Sequence, residues 1–116
     1  MYYTVGVMLS RALGEFELAI LLSVRELGDE AYGVAVRAAL SKRLGRECSI
    51  GAVYTTLQRL ENKGLVKSWR SDPTPVRGGR AKRHFELTAA GDRAIRHAQA
   101  TAQRLWSGSG LRWSNR

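Results

Sequence analysis

SIGAVYTTLQRLENKGLVKSWRSDPTPVRGGRAKRHFELT, residues 49–88, runs through a capped amphipathic helix, an apolar strand, a Pro- and Gly-containing turn and a second strand. Ser49 can accept from the first free amides of a helix spanning Ile50 to Lys63, and Gly64 is the expected left-handed C-cap. Along that helix Ile50, Val53, Leu57 and Leu60 recur at i, i+3, i+7 and i+10 and are expected to face a core. The opposite side carries Gly51, Ala52, Thr55, Gln58 and Arg59, with Tyr54 at its border. Both prolines, Pro73 and Pro75, fall in the turn that ends in Gly78-Gly79, so strands near Val66–Arg70 and Ala81–Leu87 are expected to pair as a hairpin with a long tip.

Upstream, Phe16, Ile20, Val24 and Leu27 mark one face of a helix from Glu15 to Leu27 that ends at Gly28. Leu18, Leu21 and Leu22 make the other side apolar as well, which in so small a chain calls for a second buried surface. Asp29 is positioned to cap a second helix, roughly Ala31 to Leu44, with a ridge of Tyr32, Val36, Leu40 and Leu44, solvated Arg37, Lys42 and Arg43, and a stop at Gly45. Downstream, Thr88 can cap a last helix striped with Ala94, Ile95, Ala98, Ala102, Leu105 and Trp106.

The 116 residues suffice for one core and are too few for two ordinary domains. Nineteen Lys and Arg against ten Asp and Glu give a formal charge of +9, which favours a polyanionic partner, double-stranded DNA foremost. A membrane surface is disfavoured because the charge is not gathered on one amphipathic helix and no lipidation motif is present. The lone Cys48 allows no internal disulfide and, with no signal peptide and no long apolar run, points to a cytoplasmic protein. His84 and His97 have no Cys or carboxylate cluster around them, so neither a metal nor another cofactor is expected, and no nucleophile or paired-acid arrangement supports an enzyme.

Small and polar side chains on the third helix can approach base edges, Gln58 suiting adenine, Arg59 guanine or phosphate, and Thr55 offering hydroxyl or methyl. Taken alone that face reads as solvated. The hairpin that follows, with Lys67, Arg70, Arg77, Arg80, Lys82 and Arg83 against Asp72, tips the balance, since Arg77 and Arg80 flank a narrow Gly78-Gly79 tip suited to phosphates or a minor groove. A protected sheet edge would carry similar charges.

Together Leu18 through Leu27, AYGVAV at 31–36, the Ser-x-Gly-x-x-Tyr-x-x-Leu-x-x-Leu pattern from Ser49 to Leu60, and GGRAKRHFELTAAG at 78–91 resemble the PadR family of transcriptional regulators. The resemblance spans roughly residues 14–106. It implies a mainly α fold with a small β-hairpin wing, a winged helix-turn-helix with an additional C-terminal dimerisation helix, in a homodimeric repressor of an inverted-repeat operator. It also implies, for some members, release by a small aromatic effector. By the same likeness Tyr54 matches a backbone-contacting tyrosine, and Arg80 and Lys82 match basic wing positions.

The expected layout is a flexible lead-in over residues 1–14, a DNA-binding domain over 15–87, a dimerisation helix over 88–107 and a disordered tail over 108–116. DNA contacts are expected from Ser49, Gly51, Tyr54, Thr55, Gln58, Arg59 and Lys63 on the helix, and from Arg77, Gly78, Gly79, Arg80 and Lys82 on the wing. The dimer interface is expected to use Leu18, Leu21, Leu22, Ile95, Ala98, Ala102, Leu105 and Trp106, the last also the one candidate for an effector contact. Trp69 is expected to cover the sheet, Trp113 lies in the patternless tail, and Cys48 reads as packing or as a thiol sensor beside a helix N-terminus. The competing reading is a winged-helix scaffold that binds a protein through its first and last helices. RNA is less favoured for want of an aromatic platform.

Overall fold

The computed structural model describes residues 13–71 and 82–111. Four helices and a two-stranded hairpin succeed one another: α1 (Glu15–Leu27), α2 (Gly33–Leu44), α3 (Ile50–Asn62), β1 (Val66–Arg70), β2 (Arg83–Leu87) and α4 (Ala89–Trp106). Helix α1 runs through the middle, touching α2, α3, β2 and α4. Its Ala19, Ile20, Leu21 and Val24 are buried with Val36 and Leu40 of α2, Val53, Leu57 and Leu60 of α3, Val66 and Phe85 of the hairpin, and Ile95 of α4. Each fully buried Leu or Ile of this set stabilises the fold by about 1.5–3 kcal/mol.

The second helix begins two residues later than its apolar ridge suggests. Gly28 to Glu30 form a 3-10 turn, Asp29 caps nothing, and α2 starts at Gly33 with Tyr32 as an extended N-cap lacking a side-chain hydrogen bond. The reason is a competing pairing. Tyr32 bridges His84 antiparallel, and the Phe85 amide donates to the Ala31 carbonyl at 2.9 Å, so Ala31-Tyr32 is spent as a short third strand on the hairpin edge. At the other end Gly45 adopts φ 70°, a left-handed value that glycine reaches without a Cβ penalty. Arg37, expected to be solvated, instead donates from Nε to the Cys48 carbonyl at 2.7 Å, while the Cys48 amide donates to Ser41 Oγ at 3.1 Å. These two bonds fix the link into α3, and the Cys48 thiol is buried there.

Ser49 Oγ accepts from the Ala52 amide at 3.1 Å, as the capping pattern suggests. At the far end the Leu65 amide reaches the Leu60 carbonyl and the Gly64 amide the Glu61 carbonyl, the paired bonds of a Schellman stop with Gly64 at φ 78°. The strands pair antiparallel from Val66 opposite Leu87 to Arg70 opposite Arg83. Val66, Ser68 and Arg70 therefore share the inner face with Leu87, Phe85 and Arg83, and Lys67 and Trp69 share the outer face with Glu86 and His84.

Thr88 ties the hairpin to α4 from both sides. Its hydroxyl donates to the Gly64 carbonyl at 2.6 Å and accepts from the Gly91 amide at 3.0 Å. Gly91 is required for contact, since a Cβ there would stand 2.1 Å from the Leu65 carbonyl oxygen. Helix α4 is cross-braced to α1 where Asp92 pairs with Arg25 and, at 2.7 Å, with Arg96. Beyond Ser107 the chain turns, with Ser109 Oγ donating to the Trp106 carbonyl at 2.6 Å. The rest of the expected tail, with Trp113, and the lead-in over residues 1–12 lie outside the described residues.

Candidate nucleic-acid interface

Helix α3 packs inward through Val53, Thr56, Leu57 and Leu60, which leaves Gly51, Thr55 and Gln58 with Asn62 as its outermost ridge. Ile50, expected in the core, is 40% exposed instead. It occupies the first helical position, ahead of the turn at which α3 meets its neighbours, so the apolar spacing overruns the packed length. The ridge bears no large apolar side chain. Gly51 faces open space, and a Cβ there would meet nothing within 4 Å. No described residue requires a glycine at this helical position, where Ala is intrinsically the better residue.

Tyr54, on one flank of the ridge, is held by two contacts. Its ring tilts against Phe85 of β2 at 6.3 Å, and its phenol lies where a side chain at Gly33 would project, 2.1 Å from the Cβ position. The Tyr-Gly pair before α2 thus has a physical reason for both residues: Tyr32 bridges the hairpin, and Gly33 makes room for Tyr54. The phenol is fixed at the N-terminal end of α2 while Tyr54 stays 38% exposed.

The cations divide into two groups. Lys63 pairs with Glu17 of α1 at 3.1 Å, Lys67 with Glu86 at 3.7 Å, and Arg83 with Glu61 at 2.7 Å. Lys63, expected to face DNA, is therefore turned toward α1 because Glu17 offers a carboxylate there. Burial raises the affinity of Glu17 for a proton, but the hydrogen bonds from Lys63 and the Gly14 amide and the charges of Lys63 and Arg59 outweigh it and hold the carboxyl below its ordinary value. Arg59 and Arg70 are exposed and carry no ion pair among the described residues, and Lys82 sits with its ammonium 4.7 Å from the Tyr32 ring centroid. On the outer hairpin face the Trp69 indole stacks parallel on His84 at 5.2 Å, and His84 meets the Tyr32 ring edge-on at 4.4 Å. Trp69 covers the sheet, as expected.

The family model described as "Transcriptional regulator PadR-like family" matches residues 20–97, which hold α2, α3, the hairpin and most of α1. The chain belongs to the PadR family. Solved PadR-like structures superpose on it: a PadR family transcriptional regulator from Eggerthella lenta is 26% identical, with 78% of this chain and 77% of that one covered at a TM-score of 0.62. A PadR family regulator from Clostridium difficile is 28% identical, with 80% and 88% covered at 0.56. RosR of H. salinarum is 27% identical, with 85% and 82% covered at 0.66. Among curated proteins none matches.

The protein is thus a PadR-family transcriptional regulator with a winged-helix fold. Among the described residues no helix is long and apolar enough to cross a membrane, and no His, Cys, Asp or Glu cluster can hold a metal ion. Gly51, Tyr54, Thr55, Gln58 and Arg59 are all exposed on α3, with Ser49 capping its N-terminus and Lys82 just before β2. Arg77, Gly78, Gly79 and Arg80 lie outside the described residues.

At the other end of the molecule Leu18 and Leu22 of α1 and Ile95, Ala98 and Ala102 of α4 line an open groove of about 430 Å³, rimmed by Arg25, Arg96 and Gln99. Leu21, expected beside them, is fully buried in the core of the chain itself and leaves no surface for a partner. Its position between the two helix faces turns it inward. Leu105 and Trp106, at the outer end of α4, are 75% and 42% exposed. Sequence reading missed the network of Arg83, Glu61 and Ser68 behind the ridge. Only Arg83 announced itself, as one charge in a basic hairpin, and its partners become visible only once the strand register is known.

Proposed function

We propose that this PadR regulator is a homodimeric repressor whose α3 ridge reads an inverted-repeat operator in the major groove while the wing grips the flanking backbone. The observation that carries the reading is the outer ridge of α3. Gly51, Thr55 and Gln58 admit close approach, and the exposed Arg59 and Arg70 have no internal ion pair among the described residues to give up on binding phosphate. Ser49 and Tyr54 supply hydroxyls beside the first turns of α3 and α2, where backbone amides also favour anions. Arg77, Gly78, Gly79 and Arg80 extend the same basic surface in sequence.

Dimerisation is supported by the groove between α1 and α4 and by the exposed Leu105 and Trp106 that continue its apolar line. A second copy of α4 lying along this groove brings two recognition helices into a two-fold arrangement, which matches an inverted repeat. An aromatic effector that releases DNA enters the same groove, whose lining is apolar apart from Arg25, Arg96 and Gln99. Trp106 does not line it within one protomer.

The test is selection from a random duplex pool followed by titration against salt. A recovered inverted repeat, with affinity falling linearly in log salt, supports the reading. Equal retention of all sequences defeats it and favours the protein-binding scaffold.

A further inference from the structure

Behind the α3 ridge a closed ring of hydrogen bonds joins the recognition helix to the wing. Arg83 of β2 donates from Nη2 to Glu61 Oε1 at 2.7 Å and from Nε to Ser68 Oγ at 3.1 Å, and Ser68 Oγ donates to Glu61 Oε2 at 2.9 Å. The same Nη2 reaches Gln58 Oε1 at 3.4 Å, and Gln58 Nε2 donates to Asn62 Oδ1 at 3.0 Å. We propose that Arg83 is a positioning residue for operator recognition: it fixes the wing against α3 and holds the Gln58 carboxamide in one orientation. The proposal rests on the reading of the ridge as a base-contacting surface.

Three features carry it. A guanidinium only donates, so the Gln58 oxygen must face Arg83 and the amide nitrogen must face away. A carboxamide matched to a base by one donor and one acceptor is useful only in a single orientation, and a flipped amide presents the reverse pattern. Secondly, Arg83 stands directly opposite Arg70 on the inner hairpin face, a like-charge pair that pushes the strands apart at the root of the tip. Glu61 on α3 neutralises one member, so the angle of the wing is set by the recognition helix itself. Thirdly, the Arg83 and Glu61 side chains are only 30% and 28% exposed, and a partly buried ion pair loses in desolvation much of what it gains in attraction, so stability alone does not account for it. What the ring does supply is geometry, because the planar fork of Arg spans two elements at once and the ammonium of Lys does not.

The experiment compares Arg83→Lys, Glu61→Gln and Ser68→Ala with the wild type on the selected operator, on operators changed at the base pair lost in Gln58→Ala, and on scrambled duplex, with thermal melts alongside. Arg83→Lys keeps the charge, so the proposal expects unchanged salt slope and scrambled-duplex affinity, with operator affinity lower by about tenfold and preference relaxed at the Gln58 position. Glu61→Gln should give the same loss, and combining the two should add little to either. Equal losses on operator and scrambled duplex overturn the proposal and make Arg83 a phosphate contact. Unchanged operator preference in all three variants overturns it as well. A wild type that itself prefers no sequence removes the underlying reading, which the first titration reveals before any variant is examined.

Discussion

Replacing Gly51 by Ala should make the protein more stable and a poorer DNA binder at the same time. Gly51 is the second residue of α3, and a Cβ built on it meets nothing within 4 Å. Gly in a helix is disfavoured relative to Ala by about 0.5–1 kcal/mol through the backbone freedom it loses on folding. Because Gly51 lies in the first turn, that range is an upper bound, and for a domain of this size it corresponds to a rise in melting temperature of roughly 2–8 °C. Against a duplex seated on the ridge the new methyl occupies space that the glycine leaves open. Forcing a methyl into a close-packed contact costs about 1–3 kcal/mol, or roughly 5–150-fold in affinity.

Thermal melting by circular dichroism and fluorescence-anisotropy titration on the selected operator read the two effects separately. The two effects have opposite signs. A variant that melts higher and binds as tightly as the wild type places the duplex elsewhere than on the Gly51–Thr55–Gln58 ridge. One that melts lower shows that the space at Gly51 is used within the protein. Both results would refute the reasoning.

Gly33→Ala should behave in the opposite way to Gly51→Ala, since its Cβ would stand 2.1 Å from the Tyr54 hydroxyl; thermal melts should show a loss of about 1–3 kcal/mol, largely abolished in a Tyr54→Ala background. Glu17 is held below its ordinary value of 4.5 by Lys63 and Gly14 against the effect of burial, so its contribution is complete above that value and is lost as pH falls through the lower folded value. Melts of wild type and Glu17→Gln should therefore differ at pH 7 and converge only as the pH falls well below the ordinary carboxylate value of 4.5. Leu105→Asp with Trp106→Asp, at the exposed end of α4, should give a monomer in sedimentation equilibrium with α1 to α3 still folded by circular dichroism, whereas a dimer that survives both changes moves the interface elsewhere.

What the sequence made legible were the features that depend on neighbours along the chain. As caps and stops, Ser49, Thr88, Gly45 and Gly64 use amides and carbonyls within a few residues of themselves, so these fall where their types suggest, even though the Thr88 hydroxyl also reaches the distant Gly64 carbonyl. The buried row Val53, Leu57 and Leu60 follows from helical period alone. Where the reading departs from the structure, a contact distant in sequence has intervened. Asp29 can cap a helix only if the helix begins beside it, and the pairing of Tyr32 with His84 holds that backbone extended. Leu21 counts as spare apolar surface only while the position of its neighbours is unknown; packed against the other helices and the hairpin, it is core.

The same distinction governs the interface. A residue type suffices to nominate Gln58 or Arg59 as a base reader, because the chemistry lies in the side chain. Its availability depends on a partner that no spacing reveals: Lys63 is given over to Glu17, forty-six positions away, and Gln58 is shared with Arg83 across the wing. Neither engagement follows from charge or period. Each arises because α1 and β2 approach α3 from different sides, bringing carboxylate and guanidinium groups to opposite flanks of one helix. The ridge between those flanks, with Gly51 open at one end and Gln58 already oriented at the other, is therefore shaped as much by residues that do not belong to α3 as by those that do.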